Sequence, residues 1–199
     1  MIIQYILENT ISEKYRDQIY KMIEDADTEF VPHLSKRSST TQQVLSDDDP
    51  EEGESKERGG TGSIVFDRKS DFKKKADVSS YYENVLRQSA ILAIDEEDRV
   101  CGFMSFIPHH DVEMGSSNKL EDVLYLSTLI VDKKMRRMGI SRRMYETLFA
   151  SFPDRRIVTR TWSTNDGHLP LLKRLGFQLL EVIPNDRGEG IDTVYYGKM

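Results

Sequence analysis

Between Val131 and Ser141 the chain reads VDKKMRRMGIS, and six cations crowd positions 133 to 143: Lys133, Lys134, Arg136, Arg137, Arg142 and Arg143. An apolar run precedes this stretch and a helix-like pattern follows it, so the cations sit at a strand-to-helix corner. The first amides of a helix have no partner within it and carry partial positive charge. A diphosphate fits such a place. Gly139 removes a side chain where an anion would approach the backbone, and Arg136 and Arg137 add charge-assisted donors. The bland alternative is an ordinary corner with a solvated basic rim. Two other phosphate-binding patterns are excluded: no Gly-rich turn closes on Gly-Lys-Ser/Thr, and LENTISE, after the first apolar run, has no glycine for a dinucleotide fold.

The bulk properties narrow the field. At 199 residues the chain is long enough for one full core, and a single domain over 1–199 is the default. A formal net charge of -6 argues against a general nucleic-acid binder, so the basic corner needs a more local explanation. Cys101 is the sole cysteine and lies in the apolar run RVCGFMSFI, which suits a buried filler in a reducing, cytoplasmic compartment. His33, His109, His110 and His168 show no metal-binding spacing, so no metal is expected. No run has the length of a membrane span, and the N-terminus lacks the basic start of a signal peptide.

The elements that must position the corner follow from periodicity. IIQYIL reads as a first strand. A helix follows, with Thr10 or Ser12 as cap and Tyr15, Ile19 and Ile23 inward. Residues 34–75 are polar, and 47–57 carry seven acids against Lys56, so this reads as a mobile insertion: a solvated spacer, or an acidic lid that attracts a cationic acceptor. KRSSTTQ at 36–42 is a candidate substrate loop. From Asp77 a second helix has Ser79 or Ser80 as cap and Tyr81 and Val85 inward. AILAI and CGFMSFI form a hairpin around DEEDR. Residues 122–131 read as a central strand, on which Tyr125, Ser127 and Leu129 share a face. In the corner helix, Met138, Ile140, Met144, Tyr145 and Leu148 form a buried stripe. A strand at 155–162, a short helix from about Asp166 to Leu175 stopped by Gly176, and strands at FQLLEVI and DTVYYGK complete the chain. The result is an α/β fold with one mixed sheet and helices on both faces. An exposed edge at 191–197 would suit a homodimer.

The corner resembles the acyl-CoA-binding motif of the GCN5-related N-acetyltransferase (GNAT) superfamily, whose signature is Gln/Arg-x-x-Gly-x-Gly/Ala after the fourth strand. Arg136, Gly139 and Ser141 stand at its key positions, with Ser141 in place of the usual Gly or Ala. NDGHLPLLKRLGF is similar to the family's Asn-led helix ending in Gly-Phe, through Asn165, Gly176 and Phe177. The resemblance covers 85–199 well and 1–30 loosely. It implies a mostly antiparallel sheet splayed between the fourth and fifth strands, with acetyl-CoA as co-substrate in the gap. The pantetheine would pair near Leu129, Ile130 and Val131, and the diphosphate would lie over Arg137, Met138, Gly139, Ile140, Ser141 and Arg142 beside Arg136. Asn165 would hold the cofactor or the splayed edge.

By the same resemblance an amine attacks the thioester directly, and a Glu at or before the fourth strand relays its proton. Glu121 matches that position, and Tyr125 would place the acceptor. Many relatives carry a Tyr acid four residues before the Gly of the Gly-Phe pair. Here that position is Leu172, which has no proton to give, and His168, one turn earlier, shares its face and is the candidate substitute. The implied function is N-acetyl transfer to a primary amine of open identity, with a cationic small molecule or a protein amine favoured by the acidic balance. A CoA-binding regulatory module with little turnover is the competing reading, because of Leu172.

Overall fold

The computed structural model describes residues 1–37, 77–115 and 118–199. The acidic run 47–57, most of KRSSTTQ and nearly all of the expected insertion lie outside the described residues. Its first residues, Leu34–Lys36, form a 3-10 turn in which Leu34 is fully buried.

Seven strands, β1 (Ile2–Ile6), β2 (Ser89–Ile94), β3 (Val100–Glu113), β4 (Lys119–Val131), β5 (Ile157–Trp162), β6 (Gln178–Ile183) and β7 (Thr193–Lys198), make one sheet in the order β1-β2-β3-β4-β5-β7-β6. The pairs are antiparallel except β4 with β5. Helices α1 (Glu13–Ala26) and α2 (Ser79–Leu86) cover one face through Ile19, Ile23, Tyr81 and Val85, which pack on Leu92, Phe103 and Ile130. Helices α3 (Ile140–Ser151) and α4 (Leu169–Arg174) cover the other through Met144, Leu148 and Leu172, against Met104, Phe106 and Leu126. Each helix therefore shows the sheet one apolar stripe at three- and four-residue spacing. Among the described residues no helix is long and apolar enough to cross a membrane.

Several local expectations are corrected. The α2 N-cap is Val78, rather than Ser79 or Ser80, and the carboxylate of Asp77 just before it accepts from the Ser79 amide at 3.0 Å. Met138 is 61% exposed and does not join the buried stripe, because α3 begins at Ile140 and helical spacing does not apply before it. The edge strand is β6; β7 is inserted between β5 and β6 and paired on both sides, so residues 191–197 offer no free edge.

The correction that matters most for the site lies in β4. Phe106 pairs with Leu126 and Ser105 with Thr128, leaving Ser127 as an extra residue, a β-bulge. One extra residue exchanges the two faces of everything beyond it. Leu124 and Leu126 pack in the α3 core, and past the bulge that face continues as Leu129 and Val131. Tyr125's face continues as Thr128 and Ile130. Tyr125, Ser127 and Leu129 thus do not share a face.

Candidate active site

The parallel pairing of β4 and β5 is short: Leu124 with Ile157, Tyr125 with Val158 and Leu126 with Thr159. The last rung is secured by the Thr159 hydroxyl, which donates to the Leu126 carbonyl at 3.1 Å. Beyond it the strands part, and a cavity of about 640 Å³ lies between Ser127–Val131 and Arg160–Trp162, running down to the start of α3. From Leu126 to Val131 is five residues of strand, or ~17 Å. At the far corner, Asn165 accepts the His168 amide at 3.1 Å and donates to the Thr161 hydroxyl at 3.0 Å, fixing the end of β5 to the start of α4. Asn165 lines the cavity and holds its splayed edge.

The floor of that cavity is a backbone cradle. Arg137 (φ 66) and Gly139 (φ 76) both adopt the left-handed conformation. Such a conformation costs an ordinary residue such as Arg137 roughly 1–2 kcal/mol and marks a segment held for a purpose. Among the described residues the amides of Gly139, Ile140, Ser141 and Arg142 have no backbone hydrogen-bond partner, the first α3 contact being from Arg143 to the Gly139 carbonyl at 3.0 Å. A Cβ on Gly139 would meet nothing within 4 Å, so the approach to these amides is open. The cradle is set against the sheet by Gly102. A Cβ there would lie 3.1 Å from the Ile130 carbonyl and 3.3 Å from both Ile140 and Met144, so glycine lets α3 come close. An open row of helix-start amides with Arg137 and Arg142 beside it has the chemistry a diphosphate requires.

Arg136 lines the same cavity and is also engaged away from it. Its Nε donates to the Val131 carbonyl at 3.1 Å, and its guanidinium pairs with Glu29 at 2.6 Å. Lys133 joins the same carboxylate at 2.9 Å. Burial alone would raise the Glu29 pKa, but the Arg136 and Lys133 hydrogen bonds outweigh it and hold the group below its usual value. Arg136 is thus a brace between β4 and the turn after α1, and Val131's carbonyl is taken up by it.

A second cavity, of about 500 Å³, opens on the other side of β4 and meets the first at Arg37, Ser127 and Arg160. It is lined by Gln88 of the chain between α2 and β2, by His110 and Glu113 of β3, and by Tyr125 and Tyr195. The Ser127 hydroxyl, turned by the bulge, contacts the Gln88 side chain and the Ser105 hydroxyl, the latter at 2.9 Å. The His110 ring lies 5.2 Å from that of Tyr125, and burial lowers the His110 pKa, with Asp111 opposing. A neutral imidazole at neutral pH follows. β3 runs on past the expected CGFMSFI to Glu113 and carries His110 into the cavity wall. The signal available was the alternation of HHDVE after the hairpin strand, which sequence reading passed over.

The predicted catalytic residues separate. Tyr125 lines the second cavity. Glu121 lines neither cavity; it is 74% exposed and pairs with Lys119 at 3.3 Å, well before the point where the strands part. His168 lines the first cavity, but its Nε2 is hydrogen-bonded to the Tyr145 hydroxyl at 2.8 Å and burial holds its pKa near 4. At neutral pH it has no cationic proton to give. Leu172 is fully buried in the core. Other functional candidates, Arg37, Arg160 and Arg187, were missed; Arg160 had a signal, a charge inside the otherwise uncharged strand IVTRTW.

This geometry, a sheet splayed over a helix-start anion cradle, defines a class. A family model, acetyltransferase (GNAT) family, matches residues 63–177. Among solved structures the chain resembles an aminoglycoside 6'-N-acetyltransferase complexed with coenzyme A, at 15% identity and TM-score 0.61, covering 100% of this chain and 96% of that one. An aminoglycoside 6'-acetyltransferase type Ii gives 16%, 0.61, 100% and 97%. The aminoglycoside 6'-N-acetyltransferase from Enterococcus faecium gives 15%, 0.60, 100% and 96%. These likenesses establish the fold. No curated protein matches. The chain belongs to the GNAT acetyltransferase family. It is an acyl-CoA-dependent N-acetyltransferase, and acetyl-CoA is its co-substrate.

Proposed function

We propose that the chain moves the acetyl group of acetyl-CoA to a primary amine held in the second cavity, at the junction formed by Arg37, Ser127 and Arg160. The supporting observation is that two cavities on opposite sides of β4 meet where β4 and β5 part. Acetyl-CoA supplies an activated thioester. The chain supplies position: the amides of Gly139–Arg142 for the diphosphate, and the unpaired stretch of β4 after Leu126 for the arm. His110 takes the proton that the attacking nitrogen loses, with Tyr125 ordering the amine beside it. A base of lowered pKa is ready in its neutral form, and such a base contributes typically 10²–10⁴-fold. No side chain is assigned to protonate the leaving thiolate, whose ordinary pKa of about 8.5 lets it depart unaided.

A CoA-binding regulator with little turnover is the second reading, favoured by the buried Leu172 where relatives place an acid. Release of free thiol from acetyl-CoA, measured across a broad amine panel, separates the two. Amine-dependent release is expected. Calorimetric binding of CoA with no release on any amine would reject transfer.

A further inference from the structure

The junction between the cavities is cationic in a way the cofactor does not explain. Arg37, at the end of the 3-10 turn, stacks its guanidinium over Tyr81 at 5.6 Å and over Phe30 at 5.2 Å. The Phe30 ring lies 5.5 Å from Trp162, and the Arg187 guanidinium covers that indole at 5.9 Å. Arg160, on β5, stands between the two, close enough that each feels its charge. The three side chains are anchored by neutral groups. Arg37 donates to the Pro32 carbonyl at 3.4 Å, Arg187 to the Val31 carbonyl and to the Thr193 hydroxyl at 2.8 Å, and Arg160 is bonded to Tyr195. Among the described residues no carboxylate lies within ion-pair distance of any of them; Asp186 is near enough to favour the charged forms of Arg160 and Arg187, but its carboxylate accepts from the Thr193 hydroxyl, and nothing of that kind acts on Arg37.

Three half-buried guanidiniums in one place repel each other and lose hydration. Burial, with the neighbouring arginines, lowers Arg37 and brings Arg187 to about 10, yet all three stay charged at neutral pH. Such a cluster is stable when an anion sits in it. The diphosphate cradle is at the start of α3, past Val131, whereas Arg37 and Arg160 stand beside Ser127, where the two cavities meet. The acids of the second cavity do not serve as that anion. Asp111 is paired with Lys119 at 2.8 Å, and Glu113 pairs in register with Lys119 at the outer end of β3.

We infer that the acceptor amine carries its own anionic group, a carboxylate or phosphate a few bonds from the nitrogen, and that Arg37 and Arg160, which line both cavities, receive it, with Arg187 adding positive charge from beside Trp162. This rests on the transfer reading above and reverses the cationic acceptor expected from net charge. That expectation drew on the run 47–57, which is outside the described residues. Local charge at the junction, rather than the sum over the chain, sets which amine is oriented for attack.

The test uses the full chain and matched amines at saturating acetyl-CoA: glycine against glycinamide, O-phosphoethanolamine against ethanolamine, with spermidine as the cationic member. Thiol release should favour the anionic partner of a pair by tenfold or more in kcat/KM, and the pair that shows it separates carboxylate from phosphate. Arg160→Gln and Arg37→Gln should shrink the preference to below threefold while calorimetric CoA affinity holds. Equal or faster reaction of the neutral or cationic amines overturns the proposal. A second readout does not need turnover. Trp162 is the single tryptophan of the chain and lies under Arg187. Its emission, titrated with N-acetylglycine or inorganic phosphate in the presence of CoA, should change saturably with at least one anion. Flat titrations with both reject the anion site even if amines are acetylated. Saturable titration without thiol release on any amine rejects the transfer reading and retains the anion site.

Discussion

The two cavities that meet at Ser127 are built by different means. The cofactor side is made of backbone: a strand that stops pairing, a left-handed turn, and a row of unbonded amides at a helix start. The second cavity, the proposed acceptor side, is made of side chains drawn from distant places: Arg37 before α2, Gln88, His110 on β3, Tyr125 on β4, Arg160 on β5 and Tyr195 on β7. Backbone geometry of this kind serves one ligand well and is hard to vary. A side-chain wall changes with each substitution, so the same scaffold can keep its donor while its acceptor differs.

That contrast can be broken most sharply at Gly139. Gly139→Glu places a carboxylate in the cradle at a position with φ 76. CoA affinity should fall by about 100-fold or more, ~3 kcal/mol, with the circular dichroism spectrum retained. Unchanged calorimetric affinity would show that the cradle is not the phosphate site. The acceptor wall is tested next. His110→Gln should lower kcat by about 100-fold and leave the KM for acetyl-CoA unchanged. The sign of the pH effect follows from the direction of the shift. The base must be neutral, and burial lowers its pKa below the ordinary 6.5, so kcat should fall only as pH drops through that lowered value and be level above it. The variant should lack this acid limb once the amine's own titration is removed. A profile with the limb intact acquits His110.

Two smaller effects sharpen the picture. Leu172→Tyr would restore the family's phenol, but Leu172 is fully buried, and overpacking there should cost about 1–3 kcal/mol. The thermal midpoint should drop by about 2–4 °C for each kcal/mol, without a gain in kcat. A faster enzyme of unchanged midpoint would mean the phenol finds room and a proton to give. Least of all, Glu121→Gln should change kcat by less than twofold, because Glu121 is exposed and outside both cavities. A tenfold loss would return it to the mechanism.

How much of this was legible in the residues divides along the same line. Periodicity located the seven strands and four α-helices of the described chain, though not the 3-10 turns or the outer part of β3, and the Arg-x-x-Gly spacing located the cradle, because both are local backbone signals. The bulge at Ser127 was only half legible: the adjacent polar pair Ser127–Thr128 interrupts the alternation of LYLSTLIV, but the slip is fixed only against the pairing with Ser105 and Phe106. The tie of Arg136 to Glu29 was not legible either, because Glu29 lies far off in sequence and meets it only in the fold. His110 and the three-arginine junction escaped for that reason too. Ion pairs, and the lack of them, are properties of assembled structure.

The braces on the turn after α1 carry a consequence of their own. Glu29 is tied to Arg136 and Lys133 on the cofactor side, whereas the carbonyls of Val31 and Pro32 are held by Arg187 and Arg37 on the acceptor side. A single inserted or deleted residue between Glu29 and Pro32 would have to release one set of ties to keep the other. This short stitch therefore tolerates less drift in length than the exposed turn at Asp95–Arg99.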